Sequence, residues 1–335
     1  MERIVQRVGA YNMRKFLLIF CIFVLLNIGG CQKSSDSFLS FETFKHPIGT
    51  TAYSDLTEYD FFSKDLVVIG EENFGDEDLI KSEAGLLINI TDKEVIFSKN
   101  VYDKKYPASL TKLLTGLLAA EHGNLEDIVT ISYEASQITE SGAKLCGFEE
   151  GDLISLENLL YCILIYSGND AAIAIADHIG GSVEDFNIMM NEQAALLGAV
   201  HSNFTNPHGL HNDEHYSTLY DIYLVFNEFI KNDTLTEIVG ISSYTAEYKD
   251  KDGNKKETSM DSTNLYLTDN FTLPEGFVIH GGKTGNTFKA GNCLILLLQG
   301  PDNDYYISGL LKAPDRDTLY SETNTLLSLI NGQAD

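Results

Sequence analysis

Basic residues are scarce in this sequence. Only 23 Lys and Arg stand against 49 Asp and Glu, a formal net charge of −26 over 335 residues. A surface of that sign repels nucleic acid, whose binding depends on Lys and Arg neutralising phosphates, so nucleic-acid partners are excluded. Proline is also rare, at 6 residues, which argues against an extensively disordered chain. None of the 5 cysteines (Cys21, Cys31, Cys146, Cys162 and Cys293) has a partner at C-x-x-C spacing. That removes the common zinc and dithiol redox motifs, and no other pattern calls for a metal or a cofactor. Cys162 and Cys293 lie within apolar stretches and read as buried thiols. No apolar run reaches the ~20 residues of a membrane-spanning helix, and no internal repeat is visible. What is present is ordinary globular composition: 44% hydrophobic, 10% aromatic and 21% charged.

The front of the chain reads as an address. Arg14-Lys15 precede an apolar run from Phe16 to Leu26, and small residues follow, the order of a secretory signal. Ile28-Gly29-Gly30-Cys31 resembles the lipobox of bacterial lipoproteins, which implies cleavage before Cys31 and diacylation of its sulfur. Two acyl chains hold a protein at a membrane where one is marginal. An uncleaved anchor helix is the alternative, and it gives the same extracytoplasmic location. Met13 can serve as the start, since residues 1–12 add nothing that a signal needs. The expected organisation is a signal peptide over 1–30, a polar tether over 31–75 and a catalytic domain over 76–332.

Along that domain, residues 85–91 and 94–99 flank Asp92-Lys93 as a β-hairpin. Leu113, Leu114, Leu117 and Leu118 give residues 110–122 a helical period. Residues 156–165, 169–179 and 183–197 read as further helices. Three strands are expected at 276–282, 292–298 and 305–311, and a last helix at 318–330. Strands at both ends with helices between predict an α+β domain.

Candidate chemistry comes from short motifs that are weak singly. Ser-x-x-Lys occurs as Ser109-Leu110-Thr111-Lys112 and again as Ser141-Gly142-Ala143-Lys144. A lysine that activates a serine must share its helical face, and residues three apart do so. Ser109 opens the apolar-periodic helix, whereas Ser141 lies among Gly142, Gly147 and Gly151, so Ser109 is the stronger nucleophile. Ser-x-Asn occurs at Ser98, Ser167 and Ser262. Of these, Ser167 falls between two apolar helices, where a cleft-lining pair with Asn169 belongs; the plain alternative is a helix cap. Lys283-Thr284-Gly285 occurs once, at the expected end of an apolar strand and after Gly281-Gly282. Glycine there lets a ligand approach the strand edge.

The ordered trio Ser109-x-x-Lys112, Ser167-x-Asn169 and Lys283-Thr284-Gly285 resembles the serine-type D-Ala-D-Ala carboxypeptidases, the low-molecular-mass penicillin-binding proteins of peptidase family S11. Tyr106-Pro107-Ala108, Gly168-Asn169-Asp170-Ala171 and Asn206-Pro207-His208-Gly209-Leu210 extend the resemblance, which runs over residues 83–330. It implies a β-lactamase/transpeptidase-like fold: an antiparallel sheet flanked by helices, with an all-helical subregion. It implies Ser109 as nucleophile, Lys112 as its base, Ser167 as proton relay and Asn169 as a ligand of substrate amide and lysine. Lys283, Thr284 and Gly285 would bind the terminal carboxylate, helped by Arg316, and the oxyanion would rest on the backbone N–H groups of Ser109 and Asn286. Peptidoglycan stem peptides would be substrates and β-lactam antibiotics covalent inhibitors. His208 is expected to shape a loop and not to act as a base. Many relatives add a second β-rich domain and a C-terminal amphipathic helix; the expectation here is that the N-terminal lipid anchors instead.

Two other readings stay open. A class A β-lactamase needs a glutamate for its deacylating water, and residues 201–212 hold no acidic residue, although Asp213 and Glu214 follow. A non-catalytic wall-associated lipoprotein would keep the fold without turnover.

Overall fold

The computed structural model describes residues 66–140, 142–268 and 270–330. The signal segment, Cys31, most of the tether and Ser141 lie outside the described residues.

The hairpin forms where the two short runs flanking Asp92-Lys93 placed it. Strand β1 (Ala84–Asn89) pairs antiparallel with β2 (Glu94–Lys99). The far end of the chain supplies β7 (Val278–Thr287), β8 (Gly291–Gln299) and β9 (Tyr305–Ala313). These five make one antiparallel sheet in the order β2-β1-β9-β8-β7, so β9 closes onto β1 across almost the whole domain. Its central strands read as continuous apolar runs because both faces are covered. Leu294, Leu296 and Leu298 pack with Leu319, Leu326 and Leu327 of the last helix, while Ile295 and Leu297 join the larger core on the other face.

Between the strand groups lies the helical region. A 3₁₀ turn (Ala108–Thr111) leads into α1 (Lys112–His122), which is buried from Lys112 to Ala119 and runs through the core. A short α2 (Tyr133–Ser136) follows. Helix α3 (Leu156–Tyr161) widens into a π turn (Cys162–Tyr166), and α4 (Asn169–Gly180) and α5 (Val183–Leu196) follow. Two helices with no counterpart in the sequence reading, α6 (Leu219–Phe229) and α7 (Asp233–Val239), are capped by Thr218 and Asn232. Helix α8 (Arg316–Ser328) starts at Arg316, two residues before the expected position, because the Asp315 side chain accepts from Thr318 N at 2.7 Å.

Three differences from expectation have physical causes. The tether was drawn to residue 75, yet Val67 and Ile69 are buried, and Val67 N donates to Tyr223 Oη at 2.8 Å. Packing therefore begins by residue 67. The Lys-Thr-Gly motif does not end its strand: β7 continues to Thr287, since Gly285 and Asn286 keep pairing with Cys293 and Asn292. A second sheet, β3 (Ile128–Thr130), β4 (Leu153–Ser155), β5 (Ser243–Lys249) and β6 (Lys255–Asp261), was not anticipated. Two of its strands have only three residues, and the other two bury one or two side chains each, leaving little period to read.

Candidate active site

The three motifs meet in one cleft of about 270 Å³. Ser109, Ser167, Asn169, Thr284, Gly285 and Arg316 are among its lining residues. Lys112 and Lys283 lie beneath it, 0% and 1% exposed.

Each motif is presented by a local feature of the backbone. Ser109 sits in the 3₁₀ turn, one turn before Lys112. Ala108 ahead of it has φ 49°, a conformation that costs a non-glycine residue about 1–3 kcal/mol. The turn is held in place by its neighbours. Thr111 Oγ1 donates to Ala108 O at 2.8 Å and lies 2.8 Å from Nε2 of the buried His215. Thr205 N donates to His215 Nδ1 at 3.1 Å, so the ring proton belongs on Nε2, facing Thr111. Burial brings this imidazole down to about 4, which keeps it neutral. From the other side, a Cβ at Gly209 would come within 1.9 Å of Ala108 O, and Gly209 has φ 81°. This is why the Pro-His-Gly-Leu loop carries glycine at that point.

Ser167 follows the π turn in the left-handed region, φ 75°, ψ 33°. Its Oγ accepts from Lys283 Nζ at 3.1 Å. Asn169 is the first residue of α4, and Gly168 is the cap position with no side-chain bond. The capping alternative for Ser167 and Asn169 is thus displaced: both side chains point at lysines. Gly285 of β7 passes so close to the nucleophile turn that a Cβ would lie 3.0 Å from Ser109 N and from Pro107 O. The Asn286 side chain donates to Gly291 O and Asn292 Oδ1, both at 3.0 Å, and pins the β7–β8 hairpin beside the cleft.

The Lys112 amine shows what the cleft can do. Its Nζ lies 2.7 Å from Asn169 Oδ1, 2.6 Å from His208 O and 3.2 Å from Ser109 Oγ. Burial, with the nearby Lys283 ammonium, holds it well below the usual lysine range. A neutral amine has two hydrogens and one lone pair. The two carbonyl oxygens take the hydrogens, which leaves the lone pair for the Ser109 hydroxyl, the arrangement of a general base and its nucleophile. Lys283 is brought down to about 7 by burial and then by Lys144, so it stays largely cationic on the acid side of neutrality. His208 does not act as a base. Its Nδ1 accepts from Leu210 N at 3.1 Å, burial holds it neutral, and its contribution to Lys112 is its carbonyl.

Three cleft features escaped the sequence reading. Thr263 takes the Thr284 hydroxyl at 2.6 Å, and Ser262 lies beside it; both belong to a Ser-x-Asn copy that was set aside. Lys144, from the second Ser-x-x-Lys, also lines the cleft. Asp170, 2% exposed, accepts from Cys146 N and Gly147 N at 3.0 and 2.9 Å and clamps that loop to α4. No acidic residue lines the cleft among the described residues. Asp213 is exposed and pairs with His211 instead.

Residues 72–301 match the family model described as D-alanyl-D-alanine carboxypeptidase, peptidase S11. The chain belongs to that family. It is 32% identical over 221 residues to D-alanyl-D-alanine carboxypeptidase DacF of Bacillus subtilis strain 168, covering 64% of this chain and 53% of the relative. DacA of Haemophilus influenzae is 27% identical over 74% of this chain and 61% of its own length. The chain thus spans between half and two thirds of the length of these relatives. The crystal structure of the Streptomyces K15 DD-transpeptidase superposes with a TM-score of 0.69 at 25% identity, covering 76% of this chain and 98% of that one. The fold is the β-lactamase/transpeptidase-like fold of this S11 chain and its structural neighbours.

Two substitutions test this geometry. Gly209→Ala combines an unfavourable φ with a backbone clash and is expected to cost about 2–4 kcal/mol. Urea unfolding should show that loss, together with slower acylation of Ser109; an unchanged midpoint would remove the proposed close approach. Lys283→Met probes the buried ammonium. The unfolded chain keeps this proton to about pH 10.4, whereas the folded chain releases it at about 7. Between those values the unfolded state binds more protons, so Lys283 makes stability rise with pH across that window. Lys283→Met should therefore raise Tm on the order of 5 °C near pH ~6.5, and the gain should shrink toward pH ~10. A gain independent of pH would contradict the assignment.

Proposed function

We propose that this S11 chain is a serine D-Ala-D-Ala carboxypeptidase that removes the terminal D-alanine of peptidoglycan stem peptides through an acyl-enzyme on Ser109. The observation that carries it is the Lys112 Nζ, 2.7 Å from Asn169 Oδ1, 2.6 Å from His208 O and 3.2 Å from Ser109 Oγ; in the neutral amine this arrangement leaves the lone pair for Ser109. In the proposed reaction Ser109 Oγ attacks the carbonyl between the two D-alanines while its proton passes to Lys112. The developing oxyanion rests on the N–H groups of Ser109 and Asn286. Lys283, Thr284 and Arg316 hold the substrate carboxylate, with Gly285 allowing close approach, and Ser167 carries a proton to the departing amine. Water then releases the shortened peptide. A β-lactam acylates the same serine, because its ring amide resembles the peptide bond.

A cleft wall without a carboxylate favours this reading over a class A β-lactamase, whose deacylating water needs one. Intact lysines in tuned environments favour it over a non-catalytic wall lipoprotein.

The full chain should bind a fluorescent penicillin covalently and release D-alanine from diacetyl-Lys-D-Ala-D-Ala. Ser109→Ala should lower both by at least about a thousandfold. Absence of both activities in the unaltered chain sinks the enzyme reading, and rapid clearance of the penicilloyl adduct turns it toward a lactamase.

The same reading puts the enzyme at the extracytoplasmic face of the membrane, held by lipid on Cys31; the support is the signal-like order of residues 14–31. No helix among the described residues is long and apolar enough to cross a membrane. Radiolabelled palmitate should enter the chain in cells, and Cys31→Ala should abolish incorporation and free the protein from the membrane fraction. Label retained in Cys31→Ala would overturn the anchor.

A further inference from the structure

The Ser-x-x-Lys copy that lacks a helix still delivers its lysine to the cleft. Lys144 O accepts from Asn169 N at 2.8 Å, which ties the Lys144 backbone to the α4 start that carries the Lys112 ligand. Two residues on, Asp170 clamps Cys146 and Gly147 through their amides. The Lys144 Nζ lies 4.7 Å from the centroid of the ring of Tyr166, the last residue of the π turn. The Lys144 backbone is therefore fixed and its ammonium set over the ring, and the residue lines the cavity.

That charge has no counter-ion among the described residues, and neither has Arg316, which lines the same cavity. Burial and then Arg316 push the Lys144 ammonium below its usual range, as expected of two cations facing one space. On the acid side of neutrality Lys283 adds a third cation beneath the floor. Three cations thus converge on a cleft with no acidic wall, in a chain where acids outnumber bases 49 to 23. Such a field draws anions to the cleft and repels them elsewhere.

One carboxylate, that of the terminal D-alanine, is already provided for by Lys283 and Thr284 of β7 and by Arg316 at the start of α8. Lys144 is tied through its carbonyl to the backbone N of Asn169, the residue proposed to hold the substrate amide. We infer that Lys144 binds a second carboxylate of the substrate, and that the preferred substrates are D-Ala-D-Ala peptides bearing a free carboxylate on the acyl side of the bond cut. This rests on the carboxypeptidase reading and adds a specificity residue to it.

The test uses the full chain in detergent and three peptides. One is diacetyl-Lys-D-Ala-D-Ala; in the other two, either the α- or the ε-acetyl group is replaced by succinyl, which adds one carboxylate. A charge-assisted hydrogen bond contributes enough for one succinyl peptide to be preferred about tenfold in kcat/KM, mainly through KM. In Lys144→Ala and Lys144→Gln that ratio should fall to about one, and Lys144→Arg should restore it. Loss of Lys144 also lets the Lys283 pKa rise, but all three peptides share the terminal carboxylate, so that effect cancels in the ratio. A wild-type ratio near one, or a preference that survives Lys144→Ala, overturns the inference and leaves the carboxypeptidase reading standing. No D-alanine from any of the peptides removes both.

Discussion

The site depends on keeping one buried amine uncharged and pointed at one hydroxyl. Burying an isolated ammonium is far more costly than burying a neutral amine, so the group gives up its proton. A neutral amine in turn needs acceptors for both hydrogens, and the fold brings them from separate places. Asn169 arrives at the start of α4 after the π turn, and the His208 carbonyl arrives on the loop between α5 and α6. Lys112 is where helix and loops converge, and displacement of any of them leaves a buried N–H unsatisfied or the lone pair misdirected.

The turn that holds Ser109 carries the strain that this convergence requires. Ala108 takes a positive φ so that Ser109 can face the lysine one turn on, while Gly285 passes against the other side. The opposing supports are Thr111 on the Ala108 carbonyl, His215 behind Thr111, and Gly209 pressed against the same carbonyl. His215 suits this role because burial keeps it neutral, with one nitrogen accepting from Thr205 N and the other facing the threonine. A charged imidazole there would add another cation close to Lys112.

Much of this was legible in the sequence, and the exceptions have a common cause. Ser109, Lys112, the Ser167 loop and the Lys-Thr-Gly strand announced themselves through helical or strand periods on their flanks. Lys144 and Ser262-Thr263 were read as weak motif copies because each lies in a polar stretch without a period. In the fold, long-range pairing brings them to the cleft: Lys144 through the Asn169 amide, Thr263 through the Thr284 hydroxyl. The second sheet was invisible for a related reason, since β4 meets β5 at a single residue pair, Leu153 with Lys249. Helix α6 was passed over although most of its residues are buried. The position of the lysine that completes the cleft is a tertiary fact.

The absence of a carboxylate from the cleft wall bears on the second half of the proposed reaction. With Lys112 as the base for acylation in the proposed reaction, no carboxylate among the described lining residues can take a proton from the water that releases the acyl group. One amine then serves both halves, and it is ready for the second only after passing its proton to the leaving group. When the leaving group is free D-alanine, it carries that proton away and vacates the space that water needs. When the leaving amine remains tethered to the acyl group, as in an opened β-lactam ring, it stays between Lys112 and the ester. In the proposed reaction, the geometry that turns over a peptide therefore also holds a β-lactam.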